Sequence, residues 1–268
     1  MFFANDFVYL SNEQYLQPMK KLFLLTLLIP FMTMCSNNQP TFATDTITTE
    51  FGEDITFTFY GHATLGIDYQ GNRLYIDPVS GFMGDAEKMP KADAILVTHH
   101  HYDHIEVPMV EALLSDDGIV ICDVTTLDMV EHLNNEYLRP GEGTEVCGVK
   151  VETIPAYNTS EGHTDFHPQD RGDLGYILNM GGLRIYIAGD GEPTPEMLAL
   201  RNIDIAFLPV NQPYTMTEEQ ASEVLHTLRP RIFYPYHYGQ VEHKTDLAKL
   251  QELVSDIDGM EMRIRPME

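Results

Sequence analysis

Four side chains able to bind metal stand within six residues in the pattern His99-x-His101-x-Asp103-His104. Alternate residues of an extended or turning backbone point the same way, so His99 and His101 can share one ion. Asp103 and His104 follow in the turn and can face a second. Imidazole combined with carboxylate suits zinc, manganese or iron. With eleven histidines in the chain, a single pair would mean little, and a histidine-rich loop can simply be solvated. Three consecutive histidines, an Asp-His pair and a preceding apolar run make a metal site the better reading.

The elements that must carry this run can be read from hydrophobic pattern. Ala94-Ile95-Leu96-Val97-Thr98 is continuously apolar up to its last residue, as in a strand buried on both faces, and the histidines begin where it ends. Before it, Ile55–Tyr60, Leu65–Tyr69 and Arg73–Asp77, separated by Gly61-His62-Ala63 and Gly71-Asn72, read as a β-meander. After it, Val107–Leu114 reads as a helix, Ile119–Ile121 as a strand and Leu127–Leu138 as a longer helix. Strands follow around Val149–Thr153 and Leu174–Leu178, flanking an irregular polar stretch from Asn158 to Asp173. Further strands are expected at Leu183–Ala188, Asp204–Pro209, Ile232–Tyr236 and Met260–Ile264. Helices are expected at Thr217–Leu228, with Thr217 as its cap, and at Lys244–Val254. Hairpins first, then strands alternating with helices, indicate an α/β (α+β) chain with helices packed outside sheets. No internal repeat is visible.

Two further residues have local features of ligands. Asp190 stands between Gly189 and Gly191 at the end of a strand, where a carboxylate is presented without crowding, although Gly-Asp-Gly alone is more often a turn. His237 ends an apolar strand and, taken alone, is equally well a core histidine.

The run from Thr98 to His104 resembles the His-x-His-x-Asp-His signature of the metallo-β-lactamase superfamily. The flanking pieces resemble the branch of the ascorbate-phosphate lactonase and related small hydrolases. They are Tyr60-Gly61-His62-Ala63-Thr64, Ile76-Asp77-Pro78, Pro155-Ala156-Tyr157-Asn158, Tyr186-Ile187-Ala188-Gly189-Asp190, Tyr214-Thr215-Met216-Thr217 and Pro235-Tyr236-His237-Tyr238-Gly239. They occur in family order from about Ile55 to the end. The resemblance implies a four-layer αβ/βα sandwich with the site along one edge between the sheets. It implies that His99 and His101 hold a first metal, that Asp103, His104 and His237 hold a second, and that Asp190 bridges both. It places His62 near the metals and Tyr214 in a loop over the pocket, so both are candidates for substrate contact. Many relatives carry a histidine after Pro-Ala-Tyr, where Asn158 stands here; Asn158 is retained as a substrate-contact candidate. His167 is preferred over His163 as the replacement ligand, because Pro168 restricts the His167 backbone and some members of the branch have a His-Pro pair after this segment. Gly191 stands where threonine is common.

The implied chemistry is hydrolysis of an ester, lactone, amide or phosphodiester in a small molecule. Two divalent ions, zinc in the first place, would share a water and lower its pKa toward neutrality. Two alternatives stay open. One is a non-catalytic metal-binding or scaffold protein. The other is di-iron redox chemistry, against which His101 argues, since oxygen-reducing relatives place glutamate there. No Gly-x-Ser-x-Gly elbow and no Gly-x-Gly-x-x-Gly after a strand are present, which disfavours serine-hydrolase and dinucleotide chemistry.

Composition narrows the partners. The 268 residues carry 41 acidic and 16 basic side chains, a net charge of -25. That surface repels phosphate backbones and argues against nucleic acid. Cys35, Cys122 and Cys147 form no Cys-x-x-Cys pair, so a thiolate zinc site is not indicated.

The first fifty residues read as a leader, with the hydrolase domain spanning 51–268. Lys20-Lys21 precede an apolar run from Leu22 to Met34 that is shorter than the ~20 residues a spanning helix needs. This is the pattern of a secretory signal, with Met19 as an alternative start. Cys35, followed by the polar Ser36-Asn37-Asn38-Gln39, resembles a bacterial lipoprotein site. The expectation is an exported protein on the periplasmic side of a bacterial membrane, held through a lipid on Cys35, with an ordinary cleaved signal as the alternative.

Overall fold

In the computed structural model, residues 41–239 and 244–268 are described. The meander forms because three alternating or apolar runs are joined by two tight turns. Its strands are β2 (Asp54–Gly61), β3 (Thr64–Tyr69) and β4 (Asn72–Ile76), paired antiparallel. The continuous apolar run becomes β5 (Ala92–Leu96), and β6 (Leu114–Cys122) and β7 (Asn135–Tyr137) follow, all parallel to β4. One further strand, β1 (Ala43–Thr48), completes a seven-stranded sheet in sequence order.

The second sheet has the same plan. Strands β8 (Gly143–Val146), β9 (Val149–Pro155), β10 (Leu174–Met180) and β11 (Leu183–Ile187) are antiparallel neighbours. Strands β12 (Ile205–Pro209), β13 (Ile232–Tyr236) and β14 (Glu261–Met262) continue in parallel. Phe57 and Phe59 of β2 meet Phe207 of β12 and Tyr234 of β13 between the sheets, at ring distances of 5.4 Å for Phe57–Phe207 and 5.2 Å for Phe59–Tyr234. Burial of such rings supplies much of the core's apolar area. Outside the first sheet, α1 (Ser80–Met83) and α2 (Val107–Leu113) cover a separate cluster that includes Tyr75, Ile95, Val97, Met109 and Val110. Two short helices, α3 (Leu127–Val130) and α4 (Pro195–Leu198), lie in connections. The second sheet is covered by α5 (Glu218–Leu228) and α6 (Leu247–Leu253). Helix α5 starts at the expected Thr217, whose side chain accepts from Gln220 N while the Gln220 side chain accepts from Thr217 N. The result is the expected four-layer sandwich.

Three expectations are corrected. The leader does not extend to residue 50, because β1 pairs with β2 along its whole length, from Ala43↔Phe59 to Thr48↔Asp54. Residues 39–268 form one compact unit. Ala-Thr-Asp-Thr-Ile-Thr looks like a polar tether because an edge strand needs only one apolar face; Asp45 on that strand accepts from Tyr234 Oη at 2.7 Å and pairs with Arg265. The long helix at Leu127–Leu138 is instead the one-turn α3 followed by β7. Asn135 donates its side-chain amide to Val130 O and Leu133 O, a local bond that competes with continued helix. Strand β8 is not visible in the hydrophobic pattern, because it is polar and short; it joins β9 through the left-handed pair Cys147-Gly148. The signal run and Cys35 lie outside the described residues. No helix among the described residues is long and apolar enough to cross a membrane.

Candidate metal centre

Every candidate ligand comes from a segment that leaves a strand along one edge of the two sheets. His62 lies in the β2–β3 turn, Asp77 follows β4 and the histidine run follows β5. His167 comes from the long segment after β9, Asp190 follows β11, Asn211 follows β12 and His237 follows β13. In open α/β sheets the carboxyl ends of parallel strands are where ligands bind. His62, Asp77 and His237 have φ of 53°, 46° and 53°, a left-handed region that residues other than glycine seldom occupy. Strained backbone of this kind gathers at functional sites. The turn is closed by His237 N donating to His62 O at 2.9 Å.

Among the described residues, the ligand atoms fall into three overlapping groups, each within a mutual distance of 4.8 Å: His99, His101 and His167; His62, Asp103, His104 and His237; and His99, His104 and Asp190. In the first group the imidazoles of His99 and His167 each have a tautomer fixed by the other nitrogen. Thr98 Oγ1 donates to Asp77 Oδ2 at 2.7 Å and in turn accepts from His99 Nδ1 at 3.0 Å, which leaves the His99 Nε2 lone pair facing His101. His167 Nδ1 donates to Tyr214 O at 3.2 Å, which leaves its Nε2 free. His101 turns Nδ1 toward His99 Nε2 at 3.0 Å. In the second group His104 Nδ1 donates to Asp77 Oδ2 at 2.8 Å, and the Asn211 carboxamide meets His237 Nδ1 at 3.0 Å.

The free nitrogens converge on one carboxylate. Asp190 Oδ2 is 3.1 Å from His237 Nε2, 3.3 Å from His104 Nε2 and 3.4 Å from His167 Nε2. None of these three nitrogens is aligned for a hydrogen bond, and Asp190 Oδ1 is likewise buried without a partner. Buried polar atoms without partners are rare in folded proteins. Imidazole lone pairs aimed past a carboxylate fit divalent metal and leave these atoms satisfied.

Charge favours the same state at three of the rings, whereas Asp190 and Asp77 outweigh burial at His104 and hold it well above the usual histidine range. Burial, reinforced by the neighbouring imidazoles, holds His99 well below the usual histidine range. Burial and the Arg171 guanidinium bring His101 down to about 4, and burial with the His237 charge brings His62 down to about 4. These rings are neutral at pH 7, as ligation requires. Burial opposes ionisation of Asp190, but His237 and His104 outweigh it and hold the carboxyl well below its ordinary range. Asp103 is also held down, because its bond to His62 Nε2 at 3.1 Å and the nearby imidazoles outweigh its burial.

Gly189 and Gly191 place Asp190. A Cβ on Gly189 would strike the Leu174 carbonyl, and one on Gly191 would lie 2.7 Å from Tyr157 N and 2.8 Å from Tyr157 O. This chain thus has no room for the threonine common at position 191.

Among the other predicted residues, Tyr214 lines a cleft of about 590 Å³ together with Asp103, His167 and His237. His62 lines it too, but as a member of the second ligand group and stacked on Phe82 at 5.0 Å. Asn158 is not on the cleft wall. It is buried behind it and donates to Tyr214 O at 2.8 Å and His163 O at 3.1 Å, so it fixes the loop and is not placed for substrate contact. His163 is drawn away by Glu192, at 3.0 Å. Asp77, Thr98 and Asn211 orient the candidate ligands; the sequence shows the first two only as parts of family segments, without this role, and gives no signal for Asn211. His167→Ala should lose about one ion per chain or bind it 10–100-fold more weakly, and His163→Ala should keep it, as counted by metal analysis after dialysis. The reverse pattern would move the ligand to His163.

Residues 56–237 match the family model described as a beta-lactamase superfamily domain. The chain belongs to the metallo-β-lactamase superfamily. Within this superfamily it is 32% identical over 183 residues to a UPF0173 protein of Pyrococcus abyssi, covering 68% of this chain and 82% of that one. It is 27% identical over 224 residues to a UPF0173 metal-dependent hydrolase of Deinococcus radiodurans, covering 76% and 93%. A crystal structure from Parabacteroides distasonis, described as a metal-dependent hydrolase, superposes with a TM-score of 0.79 at 39% identity, covering 85% of this chain and 100% of that one.

Proposed function

We propose that this chain is a metal-dependent hydrolase that holds two divalent ions, zinc in the first place and manganese or iron as alternatives, and cleaves an ester, lactone, amide or phosphodiester bond of a small molecule. The convergence of unpartnered imidazole nitrogens on Asp190 carries the reading. His99, His101 and His167 would hold one ion, Asp103, His104 and His237 the other, and Asp190 both. Bound there, such ions activate water near neutral pH and polarise the group it attacks. The protein's own part is to hold the rings. Asp77 and Thr98 fix His104 and His99, Asn211 fixes His237, and His62 both steadies Asp103 and stands as a further ligand to its ion.

Alternatives on the same fold have less support. A scaffold protein has no need of a filled ligand set at a cleft, and His101 occupies the position that redox relatives give to glutamate. Cys122 is no rival nucleophile, since burial pushes its thiol up to about 12.

The test is a screen of zinc- and manganese-loaded protein over phosphodiester, lactone, ester and β-lactam substrates. At least one class should be turned over in proportion to bound metal. Asp103→Ala should lower that rate by at least about 100-fold with the fold intact, since it removes a ligand and no core packing. Near-wild-type turnover by that variant at full metal content would refute the assignment.

The leader supports export, with substrate met outside the cytoplasm. Lys20-Lys21 and the apolar run would direct secretion, and a lipid on Cys35 would hold the protein at the periplasmic face of the membrane. Metabolic labelling with a fatty acid should mark the wild type and not Cys35→Ala. A soluble, unlabelled wild type would remove the anchor and leave secretion standing.

A further inference from the structure

Arg171 is the only lysine or arginine among the described residues that line the cleft. Its guanidinium is fixed from behind by Asp173, which is fully buried and accepts from Arg171 Nε at 2.7 Å and from Arg171 Nη2 in a two-pronged pair. The left-handed Gly172 between them, φ 84°, turns the chain so that both side chains meet. Arg171 Nη1 then donates to Nε2 of His101 at 3.0 Å. The other nitrogen of that ring, Nδ1, faces His99 Nε2 within the first ligand group.

An imidazole that gives its Nδ1 lone pair to an ion carries its proton on Nε2. Ligation through Nδ1 would therefore cost the bond that Nε2 accepts from Arg171 Nη1, and would leave Arg171 Nη1–H and His101 Nε2–H as two donors on the cleft wall, neither of which can accept. They need an acceptor from outside the protein. Phe166 and Tyr214 line the same cleft with ring centroids 4.9 Å apart, edge to face, and Tyr214 is 40% exposed.

We propose that Arg171 and the outer edge of His101 form a subsite for an anionic oxygen group of the substrate, a carboxylate or a phosphate, whose apolar body lies against Phe166 and Tyr214. The proposal rests on the hydrolase reading above and names the kind of molecule that site takes. A chain with a net charge of -25 repels anions at long range, so local positive charge must hold such a substrate. A pre-set guanidinium fork is suited to that. Asp165, which also lines the cleft, is exposed to water, which screens it.

The test uses metal-loaded protein, with phenylphosphonate and phenylacetate as anionic probes and benzamide as a neutral probe of similar ring size. Affinities are read by calorimetry and ions per chain are counted in every sample. Removing Arg171 alone would leave the Asp173 carboxylate buried and unpaired, which destabilises the fold. The variant is therefore Arg171→Gln combined with Asp173→Asn, with Arg171→Lys beside it. The affinity ratio of anionic probe to benzamide should fall about 10- to 100-fold in the double variant at unchanged metal content. Dependence of phenylphosphonate alone would assign the subsite to phosphate, and of phenylacetate alone to carboxylate. An unchanged ratio for both probes, or a fall matched by loss of ions, overturns the subsite. Wild-type protein that shows the Arg171-dependent ratio but turns over none of the phosphodiester, lactone, ester and β-lactam substrates strikes the hydrolase reading and leaves the subsite in place.

Discussion

Asp190→Asn should abolish turnover while the chain still folds. Asparagine has nearly the same shape, so the packing between Gly189 and Gly191 is kept. The variant lacks the negative charge that three imidazole nitrogens approach within 3.1–3.4 Å. A neutral amide oxygen is a weak partner for a divalent ion and bridges two of them poorly. We expect metal content to fall from two ions to one or fewer per chain. Hydrolysis should drop by at least about 1,000-fold, equivalent to about 4 kcal/mol in the barrier. A second readout does not depend on activity. Metal that binds only the folded state raises the unfolding temperature by mass action, and this rise on adding zinc should be large in the wild type and small in Asp190→Asn. A variant that keeps two ions and the full thermal shift would show that Asp190 is not the shared ligand.

How legible this centre is in the sequence differs from residue to residue. The run from His99 to His104 is visible because its ligands are contiguous and an apolar strand precedes them. His237 and Asp190 lie far away in sequence, and each has an ordinary local explanation; only family order brings them to the site. His167 was weighed against His163 by the stiffness of its proline neighbour, and the structure brings His167 to His99 and His101 while Glu192 holds His163. Asn158 reads from sequence as a residue of the site, because it stands where relatives carry a ligand. Its amide instead spans two backbone carbonyls, a relation set by tertiary contacts that no spacing reveals. The fold shows the same divide. Strands with apolar faces on both sides, such as β5, are plain from composition. The polar edge strands β1 and β8 are not, because half of each faces water and the signal of the other half is only two or three residues long.

Asp77 is the residue whose replacement should cost most in stability, and two substitutions separate its roles. It is fully buried and accepts from Thr98 N at 2.8 Å, Thr98 Oγ1 at 2.7 Å and His104 Nδ1 at 2.8 Å, while its backbone carbonyl accepts from Thr64 Oγ1. Asp77→Ala strands those three side-chain-directed donors in a dry interior. Breaking a buried charged network in this way costs about 3–5 kcal/mol, and in a domain of this size each kcal/mol lowers the unfolding temperature by roughly 2–4 °C. Asp77→Asn keeps the volume and one acceptor oxygen, so its loss of stability should be clearly smaller. Its amide group, however, donates where a carboxylate oxygen had accepted. His104 then gains most by taking its proton off Nδ1 and onto Nε2, the nitrogen that faces Asp190. That tautomer cannot ligate through Nε2. Asp77→Asn should therefore bind the ion of the Asp103–His104–His237 group about 10–100-fold more weakly, seen as a shift in zinc titrations and as a moved His104 ring signal in nitrogen NMR. If Asp77→Asn instead bound metal like the wild type, Asp77 would serve packing alone, and the orientation of His104 would have to come from Thr98, 3.4 Å from its Nδ1.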